Sequence, residues 1–255
     1  MTAIEATNRT AEAPTTYAIQ GQEVRLPVEV RDATAAVAFY LVSASRVQDL
    51  IAHTGLRAVH VLPGRTLCTI GTMVYRDGDL GPYHEIAVTF FVREPGARSL
   101  PFVGAALGLL RGSLGAYIHQ LPVDGEFTCE AGRTIWGFPK FIAEIEVSSD
   151  NDEQTAVLRV DGCHVLTQTV RTGGSRGFNN RRQVSYACRD GVVYRTSSVM
   201  SGAGVGARLR GARLELGTHP LADELRTLGL PRRALFSTFV AKMTGTFYAA
   251  QPLGR

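Results

Sequence analysis

The chain has 255 residues, a formal net charge of +4, 45% hydrophobic and 20% charged residues. It is long enough to bury a substantial core, and its arginines are scattered apart from pairs such as Arg181-Arg182 and Arg232-Arg233. Without a basic stripe, nucleic-acid binding is not expected, and the excess charge reads as solubility with a mild preference for anionic substrates. No run reaches about 18 uninterrupted apolar residues, so no membrane span is expected. Cys68, Cys129, Cys163 and Cys188 are widely spaced with no C-x-x-C pair, which argues against a zinc or thioredoxin-type site and for free thiols in a reducing, cytoplasmic setting. No metal site is expected.

Residues 1–16 read as a polar, disordered tail without a secretion signal, and 17–255 as a single domain. Val24 to Arg31 alternates apolar and polar residues as a half-buried strand does, with Pro27 marking an edge or bulge. Asp32-Ala33-Thr34 then predicts an alanine-rich helix over 35–41, and Ser45 to His53 a second. Leu56 to Leu62 and Thr66 to Arg76 read as strands around Pro63-Gly64-Arg65. A strongly apolar strand, Ile86 to Val92, follows Tyr83-His84-Glu85. A glutamate entering such a run is either a strand-end group in water or, if buried, a proton-handling group. His84 would point to the opposite face of a regular strand.

Phe102 to Tyr117 is rich in glycine and alanine and reads as a pocket cap or subunit contact, so a homo-oligomer is expected. Phe141 to Val147 reads as a strand that Lys140 enters, Ile142 and Glu144 sharing the lysine's face. Hairpins are predicted around Asp161-Gly162 and Asp190-Gly191. Thr172 to Asn180 and Ser201 to Gly206 read as glycine-containing loops. Ala212 to Leu216 reads as a strand and Leu221 to Leu228 as a helix closed by Gly229. Arg232 to Val240 reads as a short helix or turn, Met243 to Ala249 as the last strand. Close-spaced strands and few helices indicate an α+β fold, mostly antiparallel.

One stretch, Glu130 to Ile142, carries the chain's only tryptophan and one of its two lysines, Lys140 and Lys242; every other basic side chain is arginine. A desolvated lysine can become a neutral amine, whereas arginine cannot be deprotonated. Trp136, Phe138 and Phe141 flank Lys140, and desolvation among them would lower its pKa, as a Schiff-base lysine requires. A lysine snorkelling from a strand end to water fits the same residues. Gly132, Gly137 and Pro139 would give the lysine a stiff entry.

The run Glu-Ala-Gly-Arg-x-x-Trp-Gly-Phe-Pro-Lys, ending at Lys140, resembles the signature of the acetoacetate decarboxylase family, in which the lysine after the proline forms an imine with a keto substrate. Acetoacetate decarboxylase is also a standard example of a tuned lysine. The Tyr-x-Glu element at Glu85 and the segment Arg213 to Leu225 are similar to the family as well. The resemblance implies a sheet curled into a barrel or cone around a central cavity, with a few peripheral helices. It implies a Schiff-base enzyme acting on a keto acid or related ketone, a decarboxylase and so a carbon–carbon lyase, without a cofactor. Lys140 would form the imine and Glu85 move protons. Trp136, Phe138, Phe141 and Arg25 would contact the substrate. Decarboxylases of the family carry a second lysine where this chain has Phe141, and a first-strand arginine where it has Gln22 or Glu23, with Arg25 slightly displaced. Those departures leave open an imine-dependent aldolase or dehydratase, or a non-catalytic protein that retains the cavity for a small molecule.

Overall fold

The structure, a computed structural model, describes residues 15–97, 114–150 and 152–253. In chain order the strands and helices are β1 (Thr16–Ile19), β2 (Gln22–Arg25), β3 (Val28–Ser43), α1 (Ala44–Ile51), β4 (Arg57–Ala58), β5 (Arg65–Gly78) and β6 (Tyr83–Arg93). Then come β7 (Gly115–Val123), α2 (Glu126–Trp136), β8 (Lys140–Ile142), β9 (Glu144–Asp150), β10 (Glu153–Val160) and β11 (Cys163–Arg171). The chain closes with β12 (Arg176–Arg189), β13 (Val192–Leu209), β14 (Ala212–Leu216), α3 (Pro220–Thr227) and β15 (Phe236–Pro252). Among the described residues no helix is long and apolar enough to cross a membrane.

Strands β6, β5, β3, β15, β13, β12 and β7 are hydrogen-bonded in that order, and β7 pairs back onto β6. These seven strands therefore close into a barrel, which removes the exposed edges an open sheet would leave. Within the ring only β12–β7 is parallel. The strands β4 and β8 attach to β6 and β7. A second sheet, ordered β14-β11-β10-β9, packs outside the barrel. The α+β barrel expected from the sequence is the fold observed.

Alternation along the ring strands divides their side chains between two surfaces. Ala36, Ala38, Tyr40 and Val42 of β3 and Ile86, Val88, Phe90 and Val92 of β6 share one apolar core with the second sheet, α1 and α3. This is the outer face. The opposite parity, including Ala33 and Ala35 of β3 and Tyr75 of β5, faces inward and clusters with Met200, Val240 and Met243.

Several local expectations are corrected. The alanine-rich run 35–41 lies inside β3, not in a helix. Alanine favours helices in isolation, but here both faces of a central strand are packed and both edges paired, so small residues suit it. The second helix is present, but begins at Ala44 with Ser43 as its cap, its hydroxyl accepting from the Arg46 N–H. The strand expected over 56–62 shortens to β4. The loops expected over 172–180 and 201–206 fall largely within β12 and β13. Gly202 is there because a Cβ would lie 2.6 Å from the Phe178 ring; its glycine permits close packing rather than a turn. The region 232–240 leads into β15, which starts at Phe236 and also contains the exposed Lys242. The strand after Lys140 breaks at Ala143, whose N–H donates to the Val123 carbonyl. Most of the glycine-rich segment 102–117 lies outside the described residues, apart from the start of β7.

Candidate active site

Helix α2 organises the site. Phe127, Ala131 and Ile135 recur every fourth residue, which puts them on one face. Ala131 and Ile135 are buried with Ile118 and Leu121 of β7. The helix ends at Gly137, which takes the left-handed conformation at φ 67° and donates its N–H to the Arg133 carbonyl. Pro139 follows and cannot continue the helix. Lys140 then opens β8, in parallel register with Leu121. Arg133 Nε donates to the Lys140 carbonyl at 2.6 Å, tying helix and strand together.

The Lys140 side chain runs back beneath α2. A Cβ on Gly132 would lie 2.5 Å from Lys140 Cδ and 2.7 Å from Cε, so only glycine leaves room for this path. Lys140 Nζ donates to Glu85 Oε2 at 2.8 Å and to Thr128 Oγ1 at 2.9 Å. It also lies 4.9 Å from the centre of the Tyr83 ring, a cation–π contact. Tyr75 donates its phenol to Glu85 Oε1 at 3.3 Å and stacks on Tyr83 with centroids 4.3 Å apart. Glu85 is placed by β6, directly across from Met73 of β5 and Val123 of β7.

Lys140 is 3% exposed and Glu85 6%. Among the described residues they are the only charged side chains that are buried. Burial acts to lower the Lys140 pKa, while the Glu85 carboxylate and Tyr83 raise it; the net direction is upward from the usual lysine range. This reverses the expectation from the aromatic residues nearby in sequence: the resting amine is held as an ammonium by its carboxylate partner. The Tyr75 phenol is pushed well above its ordinary value by burial and by Glu85. Burial also raises Tyr83, against the opposing pull of Lys140.

The residues expected to contact substrate are dispersed. Trp136 donates its indole N–H to the Tyr248 carbonyl at 2.8 Å and stacks on Phe138, so both anchor the end of α2 in an apolar cluster with β1 and β2. Phe141 turns the other way and packs against the outer core. The ring over the amine is Tyr83. The side chain of Arg25 is 81% exposed and pairs with Glu23 at 2.6 Å, so it stands outside the site. Ile142 is 49% exposed, and Glu144 is exposed too, so neither shares the buried surroundings of Lys140; three-residue β8 ends before its alternation can continue. His84 points away from Glu85, to Asp124.

Thr128 and Tyr75 escaped the sequence reading. The four-residue spacing of Phe127, Ala131 and Ile135 was a signal for the helix that carries Thr128. Nothing local marks Tyr75, which meets Glu85 only through the register of β5 on β6. All four cysteines are free, and among the described residues no cluster of His, Cys, Asp and Glu has the form of a metal site. An open cleft of about 740 Å³ lies on the outer sheet, between β14 and the chain around Arg232. Its arginines belong to the surface, Arg213 pairing with Glu153 and Arg226 with Asp223, and it is separate from the barrel interior that holds Lys140.

No curated protein matches the chain. Solved structures do. The structure of acetoacetate decarboxylase from Legionella pneumophila subsp. pneumophila str. Philadelphia 1 is 17% identical, with a TM-score of 0.65, covering 96% of this chain and 93% of its own. A second acetoacetate decarboxylase structure is also 17% identical, with a TM-score of 0.64 and 90% of each chain covered. The enduracididine biosynthesis enzyme MppR, complexed with the condensation product of pyruvate and imidazole 4-carboxaldehyde, is 13% identical, with a TM-score of 0.62 over 89% of this chain and 88% of its own. At these identities the likeness establishes the shared fold. The family model for acetoacetate decarboxylase matches residues 12–249, nearly the whole sequence, and the chain belongs to the acetoacetate decarboxylase family.

Proposed function

We propose that this protein is a Schiff-base enzyme in which Lys140 forms an imine with a keto acid or related ketone, and that its reaction is a decarboxylation, a carbon–carbon lyase step. One observation carries the reading: the only buried cation and the only buried anion of the described residues meet at 2.8 Å on the inner side of a closed barrel. A buried ion pair is a weak source of stability, so its retention is better explained by proton transfer. Family membership supports an enzyme of this type.

The groups at hand suit each step. Glu85 accepts a proton from the Lys140 ammonium, which replaces a buried ion pair by an amine and a carboxylic acid. The neutral amine attacks the ketone carbon, and a proton moves from nitrogen to the former carbonyl oxygen. Glu85 returns its proton to that hydroxyl, which leaves as water, and a protonated imine remains. The bond to the substrate carboxylate then breaks. Its electron pair passes to the iminium, giving carbon dioxide and a neutral enamine. Protonation of the enamine carbon, with the proton drawn from solvent, and hydrolysis of the imine release the ketone. Thr128 and Tyr83 hold Nζ in place through these changes, and Tyr75 does the same for Glu85. General acid–base help of this kind contributes about 10²–10⁴-fold. The lysine is itself the electron sink, so the chemistry calls for no metal or organic cofactor.

The test is reductive trapping. Borohydride added with small ketones and keto acids, pyruvate among them, should leave a stable adduct on Lys140 that peptide mass mapping locates. Lys140→Arg should give none. Absence of an adduct across the panel would sink the imine mechanism, and retained ligand binding in Lys140→Arg without turnover in the parent protein would make it a binding protein. A second reading, aldol or dehydration chemistry on the same imine, draws on the placement of Arg25. Among the described residues no guanidinium is buried beside the amine to clamp a leaving carboxylate. Product analysis with keto acids and with ketone–aldehyde pairs separates the two.

A further inference from the structure

Strand register sets out the inner wall of the barrel around the amine. Level with Glu85 stand Met73 of β5, Ala35 of β3 and Val240 of β15, each directly paired with the next. One pleat further along β6 comes Ala87, level with Gly71, Val37 and Thr238. The next level is Thr89, Thr69, Phe39 and Phe236. Here the two threonine hydroxyls satisfy each other at 2.5 Å, and Phe39 stacks on Phe236 with centroids 4.2 Å apart and on Phe91 at 6.3 Å.

Between the ion pair and that aromatic end the described wall is apolar apart from the single hydroxyl of Thr238, and it is built of small or flexible side chains. Val37, Met73 and Ala87 remain partly exposed although they belong to a closed barrel; the outer-face residues Ile86 and Phe90 of the same β6 are fully covered. From Glu85 to Thr89 is about 13 Å of strand at ~3.3 Å per residue. A charged group placed there would be desolvated opposite methyl and thioether groups, with one neutral hydroxyl, that of Thr238, and no charged partner among the described residues. We infer that the substituent on the reacting carbonyl is an uncharged alkyl or aryl group that lies along this wall, with Phe39, Phe91 and Phe236 setting its length. The substrate is therefore a ketone with an apolar tail, not an oxo-diacid. This inference rests on the imine reading for which end of the substrate faces Lys140, but the apolar subsite can be tested by itself.

Two series separate them. Secondary alkanols from 2-propanol to 2-decanol cannot form an imine, and their binding, read as thermal stabilisation and by titration calorimetry, reports the wall alone. Affinity should rise by about fourfold per methylene and stop rising once the chain meets the aromatic end. Methyl ketones of the same lengths, trapped by borohydride, report the wall and the amine together, and 2-oxoglutarate should trap poorly. In Gly71→Leu the preference for long over short chains should fall by about tenfold in both series, because a Cβ at Gly71 meets only Val37 and Met73 side chains, at 3.4 and 3.5 Å. Should that variant not fold, the length dependence in the unmodified protein decides alone. Alkanol binding that ignores chain length, or better trapping of 2-oxoglutarate than of the alkyl ketones, overturns the apolar subsite. Length-dependent alkanol binding with no ketone adduct upholds it and overturns the imine instead.

Discussion

The two faces of β6 carry adjacent residues to opposite ends. On the outer face Ile86, Val88, Phe90 and Val92 are covered by the second sheet and the helices, and every one is apolar. On the inner face Glu85 is a buried carboxylate, and Ala87, Thr89 and Phe91 are all partly exposed. The outer face is a packing surface whose identity is hydrophobic volume. The inner face gives up packing to keep a charge pair and space. Stability should therefore reside on one side of the strand and chemistry on the other, and substitutions on each side should move different observables.

The largest effect should come from Lys140→Arg. A guanidinium stays charged and cannot form an imine, so turnover should fall to background in a steady-state assay while the fold persists. Retained turnover would remove the inner face from the chemistry. On the outer face, Phe90→Ala should cost about 3–5 kcal/mol of stability in denaturant melts while the folded fraction keeps its KM. A KM shift instead would show that the two faces are coupled.

Glu85→Gln sharpens the inner side. It removes the carboxylate that raises Lys140 and leaves burial, which lowers it. The pH at which the amine becomes trappable should therefore move down, with Tyr83 left to oppose burial. In the parent protein the raised lysine adds stability that is present at neutral pH and is lost as pH rises through its folded pKa, above the ordinary value of about 10.4. The variant should lose that alkaline transition. An unchanged pH profile of trapping would mean that Glu85 does not control the amine.

Gly132→Ala separates position from stability. Alanine favours a helix by about 1 kcal/mol over glycine, but its methyl group would occupy the path of Lys140 Cδ and Cε. The melting temperature should hold while turnover drops by about 10²-fold, as expected for misplacement of about 1 Å. The smallest effect should be that of Thr128→Val, which removes one acceptor from Nζ and should cost about 1–3 kcal/mol of stability at neutral pH. That cost should shrink at high pH, where the amine is neutral.

Local chemistry was legible in the sequence. Asp161 and Gly162, and Asp190 and Gly191, take positive φ at the tips of the β10–β11 and β12–β13 hairpins, as their residue types require. The bounds of β14 match the alternating run 212–216, and α3 begins one residue before the expected helix, with His219 as its cap. The start of a strand at Lys140 was also readable, because Pro139 acts on its own dihedral and on that of the residue before it, whereas helix α2, which ends at Gly137, was not expected.

What the sequence by itself determined was the mostly antiparallel α+β class, the Asp-Gly turns and the one lysine set after a stiff glycine–proline entry, the barrel being implied by the family resemblance. What only the tertiary structure decided was the company that lysine keeps. The strand over 35–41 outweighs alanine's helical preference because two neighbours bond its backbone. Tyr75 and Glu85 meet through the register of β5 on β6, and Thr128 reaches Nζ because α2 folds back over β8. Trp136, Phe138 and Phe141, near in sequence, are directed to other clusters. Proximity along the chain says little about which groups share a low-dielectric site. Closure of the ring does, and it turned a lysine expected to be neutral among aromatic rings into an ammonium paired with a carboxylate.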